Sequence, residues 1–219
     1  MSAARVAVVR SPRRAGALAA RLEAAGFAVV GCPLVEVEPL GEGPLRVAGY
    51  DWLVVTSPNA AEEVGRRGLA GRPRRIAAVG TGTAAALAEA AGLVADLVPR
   101  VSSQEGLLAE LPEPPGRVLV ACAEAARPLL AERLAADVAV LYRTVELDPA
   151  AFPDADLVAL ASSSQAAAFG RLGRHLPVVS IGPQTTATAT SAGLTVVAEA
   201  EPHDLDGLVA AVGRAAAAL

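Results

Sequence analysis

The stretch VVSIGPQTTATATSAG, residues 178–193, decides the fold because it carries a strand, a turn and a helix in one short run. Residues 178–181 form a mainly β-branched run, which is typical of a buried strand. A Gly-Pro pair interrupts that run, and the polar residues 184–186 follow at the predicted start of a helix. Gly193 then predicts the helix end, because glycine is the common residue just past a helix C-terminus.

The same unit occurs a second time, in IAAVGTGTAAALAEAAG at residues 76–92. Gly80 aligns with Gly182 at an offset of 102 residues. A second match relates residues 52–59 to residues 157–164 at an offset of 105. The chain therefore contains two copies of one α/β unit.

The order of the copies predicts one domain inserted in another. The N-terminal strand–helix–strand has no second half until after residue 149, whereas residues 40–145 hold a complete set. We therefore expect a discontinuous domain of residues 1–37 and 149–219, and an inserted domain of residues 40–145. Strands that alternate with helices predict parallel sheets covered on both faces.

Two alternating apolar and acidic stretches lie where the chain would cross between these domains. They are residues 34–40 and 143–149, and together they predict a two-stranded β linker. Residues 93–98 predict a further strand of the inserted domain. Ser102 to Glu105 has the spacing of a capping box, which predicts that a helix begins there.

The composition excludes several classes of protein. All 19 basic residues are arginine, so neither a P-loop nor a Schiff-base lysine enzyme is possible. The net charge of −4 argues against nucleic-acid binding. Two cysteines and two histidines are too few for a disulfide framework or a His-rich metal site, and we expect no metal and no cofactor. No long apolar run or signal peptide is present, so we expect a cytoplasmic protein without membrane contact.

Polar residues follow the predicted strands and begin the predicted helices in both halves of the chain. In parallel sheets ligands bind outside the carboxyl ends of the strands, and helix N-termini attract anions. Serine, threonine and asparagine also cap helices without any ligand, but their number on both halves favours a cleft between two domains that holds a polyanion. The candidate binding residues are Arg10, Ser11, Thr56, Ser57, Asn59, Gly80, Thr81, Thr83, Ser102, Ser103, Ser162, Ser163, Ser164, Gly182, Gln184, Thr185 and Thr186.

No recognised catalytic constellation is present in the sequence. His175 and His203 lie in predicted loops outside any known motif, and a Gly-Thr-Gly at residues 80–82 lacks the third glycine of a dinucleotide fingerprint. Tyr142 lies where a strand leaves the inserted domain, a position that we expect to face the cleft. The alternative for Tyr142 is ordinary packing at a strand end.

Several of these motifs together resemble the uroporphyrinogen-III synthase family, and the resemblance covers the whole chain. The motifs are VTSPNA at 55–60, VGTGTA at 79–84, LYRT at 141–144, IGPQTT at 181–186, AGL at 192–194 and GL at 207–208. The chain departs from the family at residues 162–165, where SSSQ replaces a Ser-Pro-Ser-Gly-like turn.

The resemblance implies two flavodoxin-like parallel-sheet domains, one inserted in the other and joined by a β-ladder. It implies a cofactor-free monomeric lyase of tetrapyrrole (haem) biosynthesis. Its substrate would be hydroxymethylbilane, a linear tetrapyrrole with eight carboxylates, and its product uroporphyrinogen III, formed with inversion of ring D and loss of water. By resemblance, Tyr142 is the candidate donor to the leaving hydroxyl or its orienter.

Two alternatives to this enzyme remain open. The first is a non-catalytic two-domain binding protein for a small polyanionic ligand, which would bind without turnover. The second is a regulatory module fused to another domain; the sequence ends after an Ala-rich helix, and we therefore expect the stand-alone enzyme.

Overall fold

The structure, a computed structural model, describes residues 3–218 and divides into two compact units. Unit 1 contains the described residues up to Glu36 and from Val145 onward, and unit 2 contains Val37–Thr144. Each unit is built on its own five-stranded sheet, which is parallel in unit 1 and mainly parallel in unit 2. Within residues 3–218, no helix has the length and apolar character needed to cross a membrane.

Twelve strands and eight helices occur in the described residues. The strands are β1 (Arg5–Val8), β2 (Ala28–Gly31), β3 (Val35–Pro39), β4 (Leu45–Arg46), β5 (Trp52–Val55), β6 (Leu69–Ala70), β7 (Arg75–Ala78), β8 (Val118–Ala123), β9 (Asp137–Glu146), β10 (Leu157–Leu160), β11 (Val178–Ser180) and β12 (Val196–Glu199). The helices are α1 (Pro12–Ala24), α2 (Pro58–Arg67), α3 (Thr81–Ala91), α4 (Gln104–Glu110), α5 (Leu129–Leu134), α6 (Ser163–Arg171), α7 (Pro183–Ser191) and α8 (Leu205–Ala216).

The two sheets share the order of four strands, because β11-β10-β1-β2 of unit 1 corresponds to β7-β5-β8-β9 of unit 2. In unit 1 the order is β12-β11-β10-β1-β2, with every neighbouring pair parallel. In unit 2 the order is β3-β9-β8-β5-β7, in which β7, β5, β8 and β9 pair in parallel. The direction of chain progression reverses between β1 and β10 in unit 1, and between β5 and β8 in unit 2. Such reversal points are where open parallel sheets bind ligands.

Alternate residues of the central strands fill two separate cores in each unit. On β10, Leu157 and Ala159 belong to one buried cluster, while Val158 and Leu160 belong to the cluster on the opposite face. On β5, residues 53 and 55 face one cluster and residues 52 and 54 the other. The expectation of parallel sheets covered on both faces is confirmed, and it explains why these strands are apolar throughout.

Close helix packing shows that the two copies share their three-dimensional design. A Cβ added at Gly65 on α2 would collide with the backbone carbonyl of Ala90 on α3. At the equivalent positions of unit 1, a Cβ on Gly170 would come within 2.6 Å of the Cβ of Ala192. The offsets between these pairs are the 105 and 102 residues that the sequence repeat predicts. Both helix pairs therefore need a glycine to approach each other.

The strand predicted at residues 93–98 is wrong. Only Leu97 forms a bridge, to Ala77, whereas the equivalent segment of unit 1 is the strand β12. The Asp96 carboxylate accepts a hydrogen bond from the backbone N–H of Ile76 at 2.7 Å. The Asp96 side chain therefore accepts the hydrogen bond from the Ile76 amide that a backbone carbonyl of a neighbouring strand would accept in a regular sheet.

The segments predicted as a linker form part of the second sheet. The strand β9 runs without a break from Asp137 to Glu146, and β3 lies beside it at the edge of the sheet. Leu40 N donates to Leu141 O at 2.7 Å, and Leu147 N donates to Leu34 O at 2.9 Å, so the two segments run antiparallel. The change from one unit to the other falls within both strands.

The contact between α2 and α3 gives a test of the packing. Gly65→Ala should lower the free energy of unfolding by about 1–3 kcal/mol, because the added methyl group forces two helices apart. Gly16→Ala on α1 is the matched control, since a Cβ at Gly16 meets no atom of the described residues within 4 Å. That change should be neutral or stabilise by up to about 1 kcal/mol, because alanine favours the helix. Thermal unfolding by circular dichroism measures both, and equal midpoints would contradict the packing.

Candidate functional site

The first candidate residues of unit 2 lie where β5 ends and α2 begins. Thr56 Oγ1 donates to the carbonyl oxygen of Ala121 on β8 at 3.2 Å, so its hydroxyl proton is used in a hydrogen bond to the sheet. Ser57 is the N-cap of α2 and its Oγ accepts a hydrogen bond from Ala60 N at 3.1 Å. The hydroxyl group of Ser57 therefore lies at the positive end of the helix dipole, beside the point where the strand order reverses.

A β-bulge determines the position of Tyr142. The register pairs Cys122 with Val140 and Ala123 with Tyr142, which leaves Leu141 as an extra residue. Leu141 and Tyr142 consequently join the same buried cluster, although strand neighbours normally point to opposite faces. Tyr142 is only 5% exposed, and its hydroxyl lies 2.9 Å from Ser57 Oγ. Its ring thus packs inside unit 2, while its hydroxyl reaches the start of α2.

Two buried amide oxygens near these residues accept no hydrogen bond from the part of the chain that the structure describes. They are Asn59 Oδ1 in the first turn of α2 and Gln104 Oε1 in the first turn of α4. A buried acceptor without a partner is costly, and such atoms commonly receive a ligand or a water molecule. Gln104 lines a pocket of about 150 Å³ that also includes Thr56, Cys122 and Arg127. Sequence reasoning selected Asn59 and missed Gln104.

The starts of α3 and α4 place the remaining candidates of unit 2. Gly80 is the N-cap of α3, where a Cβ would lie 2.9 Å from Ser102 Oγ. Thr81 is exposed, whereas Thr83 is only 5% exposed and packs inside the unit. Ser103, rather than Ser102, caps α4, and its Oγ accepts from Gly106 N at 3.0 Å. The predicted capping box is therefore wrong by one residue.

An ion pair holds the start of α4. Arg127 donates to Glu105 Oε1 at 2.6 Å and to Glu105 Oε2 at 3.2 Å. These hydrogen bonds from Arg127 are the main reason why the pKa of Glu105 falls to about 2. The carboxylate of Glu105 is thus committed to a structural partner, so it is not a general base.

The equivalent helix start of unit 1 follows β10. Ser162 caps α6, since its Oγ accepts from Gln165 N at 3.4 Å and lies 3.0 Å from Ser164 Oγ. Ser163 is the first residue of the helix and is partly buried. Ser162 stands where unit 2 has Ser57, at the repeat offset of 105 residues.

Two candidates follow β1, the strand that pairs with β10. Arg10 and Ser11 are 9% and 8% exposed. Ser11 is the N-cap of α1 but makes no side-chain cap hydrogen bond within the described residues. Both residues lie at the reversal point of the unit 1 sheet.

Gly182 is the N-cap of α7, as Gly80 is the N-cap of α3. Pro183 and Gln184 are exposed, while Thr185 is only 4% exposed, like its counterpart Thr83. Neither Gly182 nor Gly80 supplies a cap side chain, so within the described residues no cap side chain occupies the amides in the first turns of these helices. Pro183 has no N–H, so the first amide that α7 offers to an anion is that of Gln184.

A polar chain that sequence reasoning missed lies beside α7. Ser180 Oγ is 2.6 Å from Thr186 Oγ1, and Thr186 in turn donates to Glu199 Oε2. Glu199 Oε1 lies 3.5 Å from His203 Nε2. Thr186 is therefore a partner of Glu199, a role that its position in the helix start did not indicate. No local sequence signal links these residues, because they come from β11, α7, β12 and a loop.

The model of the family "Uroporphyrinogen-III synthase HemD" matches residues 16–210 of the chain. The chain belongs to the uroporphyrinogen-III synthase family. A uroporphyrinogen-III synthase from Synechococcus elongatus is 30% identical, over 94% of this chain and 93% of the relative. The family assignment supports an enzyme of tetrapyrrole biosynthesis, a cyclising lyase, and does not favour the non-catalytic binding protein.

A solved structure of the family supports the fold. A mutant uroporphyrinogen III synthase from the bacterium Thermus thermophilus matches with a TM-score of 0.66 and 21% identity, over 99% of this chain and 100% of that one. At this identity the likeness concerns the fold alone. It agrees with a mixed α/β structure built on parallel sheets.

The pair of Glu105 and Arg127 predicts a pH-dependent stability. The lowered pKa of Glu105 means that its stabilisation is present above its unfolded-state pKa of about 4.3 and is lost as pH falls through about 2. Both side chains are about half exposed, so solvent screening limits the effect to at most about 1 kcal/mol. Glu105→Gln should lower the free energy of unfolding at pH 7, and the loss should shrink between about pH 4 and pH 2.

Glu132→Gln on α5 is the control for that change, because Glu132 is an exposed carboxylate of the same neighbourhood. Urea unfolding at pH 7 and at pH 3 compares the two variants. A deficit of Glu105→Gln that is the same at both pH values would contradict the ion pair.

Proposed function

We propose that this chain converts hydroxymethylbilane to uroporphyrinogen III, with inversion of ring D and release of water. The family match over residues 16–210 carries this proposal. We also propose that it acts as a cofactor-independent monomer in the cytoplasm, and that its two compact units are two flavodoxin-like domains. The strand order of unit 1, read from β2 to β12, follows the flavodoxin-like pattern 2-1-3-4-5 and supports the last point.

The substrate carries eight carboxylates, and each unit by itself offers helix starts that suit them. In unit 2 these are the starts of α2 and α3, with Ser57, Asn59 and Thr81 nearby. In unit 1 they are the starts of α6 and α7, with Ser163 and Gln184. Unpaired N–H groups and the helix dipole stabilise carboxylates at such positions. We assign the hydroxyl and amide residues at these starts to substrate positioning.

The chemistry that the enzyme must direct is a choice between two ring closures. The bilane also closes by itself, without inversion, to the type I isomer. Holding one conformer in which the substituted carbon of ring D attacks is therefore a large part of the task. A protein that binds many carboxylates in fixed places can perform this task with few catalytic groups.

Tyr142 is the proposed donor to the leaving hydroxyl group. Ser57 Oγ can donate its proton to Tyr142 Oη, which leaves the phenol proton free for the substrate. Proton donation breaks the C–O bond of the ring A hydroxymethyl group, releases water and leaves an azafulvene cation. Ring D attacks that cation through its substituted carbon to form a spiro intermediate. Fragmentation and reclosure then give the type III ring and release one proton from ring D.

An isomer assay tests the proposed reaction. Freshly prepared hydroxymethylbilane is incubated with the protein, the product is oxidised, and the type I and type III isomers are separated by chromatography. We expect predominantly type III product, in proportion to the protein added. Type I product alone, formed at the spontaneous rate, would contradict the proposed function.

Tyr142→Phe tests the proposed donor. We expect type III formation to fall by about 100-fold or more, because a positioned acid contributes about that factor. The thermal midpoint should change little, since the ring still fills the core. Tyr50→Phe is the matched control: it also removes one phenol hydrogen bond, the 2.7 Å bond to Asp137, but at a site without candidate residues. Equal turnover of the two variants would remove Tyr142 from the mechanism.

A further inference from the structure

The pocket in unit 2 that Gln104 lines lies where one helix is shorter than its counterpart. The helix α5 corresponds to α1 of unit 1, since residues 117–134 echo residues 5–22 at an offset of 112. The helix α1 has 13 residues, whereas α5 has only six. Residues 124–128 correspond to the first residues of α1 but form no helix. Four of these five residues line the pocket, which therefore lies where unit 1 has the first turn of α1.

The pocket has apolar walls and the volume of one small ring. Its walls come from β8, β9 and α5, through the side chains of Val120, Cys122, Leu130, Val138 and Val140. Its volume is about 150 Å³. An apolar cavity of about 150 Å³ holds one aromatic ring such as benzene. The pocket of unit 2 therefore has room for a single aromatic ring.

The polar oxygen atoms of the pocket select a ring that carries a hydrogen-bond donor. Gln104 Oε1 is buried and accepts no hydrogen bond within the described residues. Thr56 also lines the pocket, and its hydroxyl proton is already donated to Ala121 O. Towards a ligand, Thr56 Oγ1 can therefore only accept. Two accepting oxygen atoms favour an aromatic ring with an N–H group.

The charged groups at the rim of the pocket do not favour an anion. Glu124 and Arg127 are both exposed and line the pocket. The positive charge of Arg127 is balanced by its ion pair with Glu105, and Glu124 adds a negative charge. A carboxylate would gain little here, in contrast to the helix starts described above. The pocket is thus suited to a neutral ring rather than to a carboxylate side chain.

The other copy of the unit shows that the fold does not need an amide at position 104. At the repeat offset of 101 residues, the counterpart of Gln104 is Leu205, which packs against a buried cluster of unit 1. A buried acceptor without a partner lowers stability, so an apolar side chain would suit folding better. The amide of Gln104 is therefore better explained by a ligand than by the packing of α4.

We propose that this pocket binds one pyrrole ring of the linear tetrapyrrole, and that the ring N–H donates a hydrogen bond to Gln104 Oε1. The inference rests on the proposed function and adds a specificity-determining residue to it. A pyrrole nitrogen, like that of indole, donates a hydrogen bond and does not accept one. The apolar walls keep water from competing, which strengthens this hydrogen bond. The carboxylate side chains of the ring extend past the exposed rim.

Pyrrole and furan test the pocket directly, because the two rings are nearly the same size and only pyrrole carries an N–H donor. The protein, labelled with nitrogen-15, is titrated with each ring. We expect pyrrole to bind in about the millimolar range, to shift the amide signals of Cys122, Leu130 and Val140, and to bind about tenfold more tightly than furan. Equal binding of the two rings, tighter binding of furan, or shifts confined to residues outside the pocket would each overturn the inference.

Three variants separate the hydrogen bond from the shape of the pocket. Gln104→Met keeps the length of the side chain without its amide, so it should weaken pyrrole binding by about tenfold and leave furan binding unchanged. Its thermal midpoint should stay the same or rise, because a buried acceptor without a partner is removed. Ala131→Leu fills the pocket and should abolish binding of both rings. Ala109→Leu, at an exposed position of α4, is the matched control and should bind both as the wild type does.

Turnover of hydroxymethylbilane separates this inference from the proposed function. Gln104→Met should raise the KM by about tenfold and leave kcat unchanged, because a contact made equally in the ground state and the transition state contributes to binding alone. Ala109→Leu should keep both constants. A KM of Gln104→Met within about twofold of Ala109→Leu would overturn the inference, while type III formation by the wild type upholds the proposed function. A wild type that forms no type III product would overturn both.

Discussion

Parallel pairing of the strands is the constraint on which the rest of the structure depends. In a parallel sheet every strand ends at the same edge, and every crossover helix begins there. The residues that follow β5, β7, β10 and β11 are therefore helix starts, and their amides and hydroxyls gather at one edge of each sheet. The candidate binding residues lie at these edges, because the strands themselves are buried on both faces.

The two units share a scaffold and differ in the polar groups that they place on it. Both units keep the glycine contacts Gly65 to Ala90 and Gly170 to Ala192, and both keep a serine cap after the central strand. In unit 2, the bulge in β9 brings the hydroxyl group of Tyr142 within hydrogen-bond distance of Ser57, the N-cap of α2. Unit 1 instead carries the polar chain that ends at His203. The two units thus carry different polar groups on equivalent frames.

Local patterns in the sequence predicted the repeat, the buried parallel strands and the glycines that begin α3 and α7. They failed wherever a contact depends on residues far apart in the chain. No local sequence pattern shows that the Asp96 carboxylate accepts a hydrogen bond from Ile76 N in place of a strand backbone. Nor does any local pattern show that Leu141 is the extra residue of a β-bulge, which turns the Tyr142 side chain into the core. Glu199 and His203 look like ordinary surface residues until β12 brings them beside Thr186. A histidine in a loop without a motif gives no local signal of such a partner.

Nuclear magnetic resonance of backbone amides tests most directly whether carboxylates bind at the helix starts. The protein, labelled with nitrogen-15, would be titrated with uroporphyrin III, the oxidised product with eight carboxylates, and with coproporphyrin III, which has four. We expect uroporphyrin to shift the amide signals in the first turns of α2, α3, α6 and α7 most strongly, and coproporphyrin to shift fewer of them. Shifts confined to the helix C-termini or to the opposite edges of the sheets would contradict it.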